Sequence, residues 1–205
     1  MSTKLIVHGR IIDTRNSKKW KGLILHHSAQ KDSLTYNDWA SIRKYHTSWR
    51  YNYDVITEGK GKELLNSGKI KGVEKPWVDI GYHFGTEYLD VPSTPQKEVV
   101  FMIGRALFLS GAHTKGFNED YLGWCIVGNF DIADIPREVL EHAIIGMKGV
   151  LRYFGIKVTP DTVMGHWETF IKLGQARTKQ EAWTYHKTCP GRKVDMDWIR
   201  QLLRE

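Results

Sequence analysis

Cysteine is scarce in this chain. Cys125 and Cys189 are the only two, which allows one disulfide at most and no CxxC pair to mark a compact metal knuckle. Long hydrophobic runs are missing too, since no segment reaches the roughly 18 uncharged apolar residues of a membrane span. The first twenty residues, MSTKLIVHGRIIDTRNSKKW, carry charges on both sides of a short apolar patch and no small-residue cleavage site. No signal peptide is expected, so synthesis is assigned to the cytoplasm, where both cysteines remain thiols. Internal repeats, low-complexity tracts and a clear domain boundary are also lacking. The expectation is therefore one domain over residues 1–205, large enough to bury a core without help from a metal or a disulfide.

What is present is globular: 41% hydrophobic, 12% aromatic and 26% charged residues, with a net charge of +7. The positive excess favours anionic partners in general. Its densest part, GKGKELLNSGKIKG (Gly59 to Gly72), lacks interleaved aromatic residues and is read as a solvated loop. No nucleic-acid partner is expected.

Strand and helix signals alternate. KGLILHHS, EVVFMIG and YLGWCIVGNF are short apolar runs of strand length, and DTVMGH is a shorter one. DIGYHFGTEYL alternates, with Ile80, Tyr82 and Phe84 expected on one face and Gly81, His83 and Gly85 on the other. A proline turn, Val91 to Pro95, follows it. Helices are expected over TYNDWASIRKYHTSW, with Thr35 as cap and Trp39, Ile42, Tyr45 and Trp49 in phase, and over PREVLEHAIIGMKGVLRYFG, with Pro136 near its start and Gly155 as its stop. VDMDWIRQLLRE reads as a terminal amphipathic helix with Val194, Trp198, Ile199 and Leu202 inward. The fold class is α/β, in one domain.

The chemistry gathers on a few residues. Adjacent side chains of a strand face opposite ways, so His26 and His27 cannot both reach one site. One of them, together with His166 in MGHWE and Cys189 in KTCPG, would supply three borderline or soft ligands and leave a fourth tetrahedral position open, as a catalytic zinc requires. Glu168 and His186 are competing donors nearby. A zinc nucleobase deaminase needs a second cysteine three positions after the first, and position 192 is arginine.

LILHHSA, DIGYHF, GAHTKGFN, LGWCIVGNF and KTCPG occur in that order. Together they resemble the zinc-dependent N-acetylmuramoyl-L-alanine amidases that share a fold with peptidoglycan recognition proteins, and most of all the amidase-type lysozymes of phages. The resemblance covers about residues 21–205 and leaves 1–20 as an N-terminal extension. It implies a central mixed β-sheet flanked by helices, and one zinc ion held by His26, His166 and Cys189, with His27 structural. It also implies catalytic roles for Tyr82 and Lys187, and substrate contacts from His113 and Asn118.

The implied activity is hydrolysis of the amide bond between N-acetylmuramic acid and L-alanine, by a monomer acting on peptidoglycan. As a phage or prophage endolysin, it would reach the wall after release by a membrane-disrupting partner. A cytoplasmic amidase recycling soluble muropeptides is an alternative, as is a peptidoglycan-binding module without activity, although such modules typically lack the cysteine. Two segments, 57–76 and 167–186, look like insertions relative to the compact phage enzymes. Helical character is expected within the second, over Lys179 to Tyr185. Cys125 is read as a small buried hydrophobe.

Overall fold

The computed structural model describes residues 4–29, 38–90 and 97–205. Within them the chain runs β1 (Lys4–Val7), β2 (Arg10–Asp13), β3 (Gly22–His27), α1 (Trp39–His46), β4 (Trp49–Tyr51), β5 (Asp54–Ile56), α2 (Glu58–Asn66), β6 (Val73–Glu74), β7 (Phe84–Asp90) and β8 (Lys97–Ile103). It continues through β9 (Tyr121–Ile126), α3 (Arg137–Tyr153), β10 (Val163–Gly165), α4 (His166–Lys172), α5 (Lys179–Tyr185) and α6 (Met196–Arg204).

The central sheet has the order β10-β3-β9-β7-β8, and only β8 runs antiparallel to its neighbour. It is the mixed sheet flanked by helices that the resemblance implied, within the α/β class that the alternation of elements implied. Interior parallel strands are covered on both faces, which explains why β3 and β9 read as unbroken apolar runs and why every residue of both is buried.

One face of the sheet packs on α3. Leu23, Leu25, Phe84, Leu122, Trp124 and Ile126 meet Val139, Ala143, Met147 and Val150 there in a single cluster. Trp124 is fully buried and donates its Nε1 hydrogen to Thr86 Oγ1 at 3.1 Å, so this large ring enters the core without an unpaired polar atom. Leu5, Val7, Ile12 and Trp20 join the same cluster, so the β1–β2 hairpin is packed into the core. On the opposite face lie Ile24 with Met164, Phe117 and Tyr121, and Cys125 with Trp39, Ile42 and Ile80.

Several expectations fail for local physical reasons. Much of the lysine-rich stretch at 59–72 is helix: Thr57 caps α2 by accepting from Lys60 N, and Gly61 and Leu64 are buried. Gly61 is an interior helical glycine because a Cβ there would lie 2.3 Å from the Trp49 ring. Trp49 itself has left α1 and begins β4. Thr35 and the Val91–Pro95 turn lie outside the described residues; α1 is capped by Asp38, which accepts from Ser41 N.

The strand expected from residue 79 starts only at Phe84, because residues 79–83 form a bend held by Arg105. That guanidinium donates to the carbonyls of Ile80, Asp79 and Ser110. The bend breaks the alternation, so Ile80 and Tyr82 pack with Cys125 while Phe84 joins the α3 face. In α6 the buried stripe is Met196, Ile199 and Leu203, and Trp198 is 49% exposed. Spacings of three and four residues share a helix face, and Trp198 falls two positions from Met196.

Glu87 on β7 is a buried carboxyl whose oxygens accept from Trp39 N at 3.2 Å. Burial, reinforced by the Asp38 charge, pushes it from an ordinary 4.5 up to about 7 against the pull of that hydrogen bond. A carboxyl raised in the folded state stabilises the fold below its unfolded pKa and loses that contribution as pH rises through the folded value. The Glu87→Gln variant should therefore gain about 2 kcal/mol relative to the parent between pH 4.5 and pH 8, after allowance for water reaching the group. Urea melts at both pH values check this; parallel stability profiles would remove the assignment.

Candidate metal centre

Parallel pairing places the site. His26 is the penultimate residue of β3 and lies opposite Cys125, while Leu25 lies opposite Gly165, the last residue of β10. His166 follows at once as the first residue of α4. Two histidines distant in sequence thus emerge side by side at the carboxyl ends of neighbouring strands, the usual position of ligands on open α/β sheets.

The rings of His26 and His166 lie 4.8 Å apart. Cys189 comes from the turn before α6, and its Sγ stands 3.4 Å from His26 Nδ1. One ligand atom from each of His26, His166 and Cys189 falls within 4.8 Å of the others, a group that could hold a metal ion. Zinc–ligand bond lengths and a tetrahedral angle put a nitrogen and a sulfur ligand about 3.6 Å apart, so the observed 3.4 Å fits this donor set. The backbone closes the arrangement, with Trp167 N donating to Cys189 O at 2.9 Å.

His27 points to the other face, where its Nδ1 accepts from Phe130 N at 3.1 Å. Its own backbone N–H donates to Cys189 Sγ at 3.4 Å. It is structural in both contacts. Glu168 accepts from Gly165 N and pairs with Arg200, and His186 stacks on Phe170 beside Gln175 O, so neither belongs to the three-residue group.

Burial dominates the electrostatics. It lowers His166 to about 4, with the Lys187 charge adding to the effect, and it lowers His26 well below the usual imidazole value. Both imidazoles are neutral at pH 7, as ligation requires. Burial pushes the Cys189 thiol up to about 12, opposed by the His27 N–H and the Lys187 charge. A bound cation would reverse that preference, since a coordinating thiol is deprotonated.

Tyr82 sits on the 79–83 bend with its ring 5.1 Å from that of His26. Burial first, then the nearby Cys125 and Cys189 sulfurs, hold its phenol well above 10, so it is a neutral hydrogen-bond donor at physiological pH. His46, assigned no role from sequence, supports the bend: its Nδ1 accepts from Gly81 N at 3.2 Å and its ring stacks on Trp77. Neither His46 nor Arg105 had a sequence signal, because each holds the bend through backbone atoms of residues 79–81 that lie 25 to 35 positions away.

Beside the three donors lies a groove of about 470 Å³. His113, Thr114 and Lys115 form one wall, Phe170 of α4 and Leu173 just after it form another, and exposed Lys187 stands at the rim. Asn118 shapes the first wall from behind, its Oδ1 accepting from both His113 N and Thr114 N at 2.8 Å. The connection after His166 forms α4 and α5, packed together through Trp167, Ala176 and Ala182, and so builds one side of the groove.

Two imidazoles and a thiol converging at the ends of parallel strands, with a cation and a phenol close by, define a candidate site for metal-assisted hydrolysis. The chain belongs to the N-acetylmuramoyl-L-alanine amidase family, whose model matches residues 16–192. An endolysin of Klebsiella phage KP32 is 26% identical over 100 residues, covering 48% of this chain and 60% of that protein. The endolysin of Escherichia phage T7 is 33% identical over 58 residues, 28% of this chain and 32% of that one. The matched region is thus less than two thirds of either relative's length.

Among solved structures, the endolysin N-acetylmuramoyl-L-alanine amidase LysCS from Clostridium intestinale URNW is similar with a TM-score of 0.54 at 17% identity, covering 92% of this chain and 86% of that chain. AmpDh3 from Pseudomonas aeruginosa gives 0.52 at 16% identity, covering 98% and 66%. At such identities these likenesses establish the fold.

Proposed function

We propose that this protein is a zinc-dependent N-acetylmuramoyl-L-alanine amidase that cleaves the bond between N-acetylmuramic acid and L-alanine in peptidoglycan, acting as an endolysin. The observation that carries the reading is the convergence of His26, His166 and Cys189 beside a groove that also holds Lys187. Membership of the family supports the reaction class. No helix among the described residues is long and apolar enough to cross a membrane.

When bound, zinc supplies activated water and polarisation of the scissile carbonyl. The protein's own groups do the rest. The Lys187 ammonium, at the groove rim, stabilises negative charge that develops on the carbonyl oxygen. Tyr82, held neutral by burial with its hydroxyl bonded to the Cys125 sulfur, is a donor beside His26 that could turn to the developing oxyanion, and its raised pKa makes it unsuited to act as a base. The loop carrying His113 and Asn118, with α4 opposite, confines the substrate to one orientation. Cys189 favours the enzyme over a peptidoglycan-binding module, because such modules typically lack that cysteine.

Digestion of purified peptidoglycan tests the bond. New L-alanine amino termini without new reducing sugar ends are expected, and a chelator should abolish them. Reducing ends alone would identify a glycosidase and contradict the proposal.

A further inference from the structure

His113 stands within a chain of contacts that runs from Tyr121 O to Cys189. Its Nε2 lies 3.2 Å from that carbonyl, and its Nδ1 lies 3.0 Å from His26 Nε2. His26 Nδ1 in turn lies 3.4 Å from Cys189 Sγ. A carbonyl oxygen only accepts, so the hydrogen of neutral His113 must be on Nε2, leaving Nδ1 as an acceptor. His26 must then carry its hydrogen on Nε2, and its Nδ1 lone pair is directed at the thiol side.

Thr114 agrees with this assignment. Its Oγ1 lies 3.1 Å from His113 Nδ1 and 3.4 Å from His26 Nε2. It can donate to the first atom and accept from the second, and His26 keeps the same tautomer in either pattern. The His113 ring is itself locked: a Cβ at Gly111 would lie 2.5 Å from its Cδ2 and one at Gly123 would lie 2.6 Å from the same atom. Two glycines leave just enough room for the ring, and both of its nitrogens are engaged inside the protein.

We propose that His113 is a positioning residue for the metal centre: anchored by the Tyr121 carbonyl, it fixes the tautomer and ring orientation of His26 so that Nδ1 faces the metal position. The inference rests on the reading of His26, His166 and Cys189 as ligands. Partners that orient a ligating histidine typically contribute about 10–100-fold in metal affinity.

The test is zinc affinity, measured by competition with a chromophoric chelator, for the parent, His113→Leu and His113→Asn. Leucine fills the space without an acceptor, whereas asparagine places Oδ1 where Nδ1 stood. Weakening of about 10–100-fold in His113→Leu, with recovery to within a few-fold in His113→Asn, is expected. Unchanged affinity in His113→Leu overturns the proposal while leaving the metal site intact. A parent that binds no zinc overturns the site itself, and this inference with it.

Long-range proton–nitrogen spectra of the metal-free parent give a second readout that needs no variant. They should place the hydrogen on Nε2 in both His26 and His113. A hydrogen on Nδ1 of His26 would refute the relay even if the leucine variant failed to fold.

Discussion

Cys189→Ala is expected to take the purified protein from one zinc per chain to almost none, and to lower amidase turnover on the order of 10³-fold or more. The size follows from the donor set. His26 and His166 are neutral imidazoles, so the thiolate supplies the only ligand charge in the group and a third of its bonds. The fold should survive, because residues on both sides of Cys189 are held independently: Thr188 donates to Asp131 and Arg192 N donates to the same carboxylate. Metal analysis and circular dichroism on one preparation check both points. Normal zinc in this variant would remove Cys189 from the ligand set.

Lys187→Ala and Tyr82→Phe should behave in the opposite way, keeping zinc and losing turnover by about 10²–10³-fold with little change in KM. Neither group is needed to hold a metal, since Lys187 is exposed at the groove rim and Tyr82 approaches His26 only ring to ring. A cation or donor that acts on charge developing in the transition state affects kcat more than ground-state binding. Lys187→Arg should recover part of the loss by restoring the charge. Steady-state kinetics on a soluble muropeptide would show the split, and full turnover in Lys187→Ala would make that lysine an ordinary surface residue.

How much of this was legible in the sequence depends on how local each signal was. β3, β9 and α3 could be read from apolar runs and helical spacing, because buried parallel strands and a helix packed along one face leave those patterns directly. α2 could not, since its glycines and lysines resemble a loop and the reason for Gly61 is a tryptophan twelve residues earlier. Strand alternation showed that only one of His26 and His27 could face the site, and the motif resemblance selected His26; the parallel register of β3 with β10 and β9 gives the physical basis.

Other features arise only when distant segments meet. The bend at 79–83 depends on Arg105, and its carbonyls bear no mark in the local pattern DIGYHF. The contact between His26 and His113 joins residues 87 positions apart, so a motif could place His113 near the groove but could not show which atom it touches. The failed phase of α6 is similar: Trp198 and Ile199 are both apolar, and only packing against α3 decides that Ile199 goes inward.

The most direct test of the account is to strip the protein with a chelator and titrate zinc back while counting L-alanine amino termini released from peptidoglycan. The account predicts no release at zero zinc and a linear rise that breaks at one zinc per chain, with the His26, His166 and Cys189 alanine variants silent throughout. Release that persists without metal, or that keeps rising past one zinc per chain, would contradict a single zinc centre at these three residues.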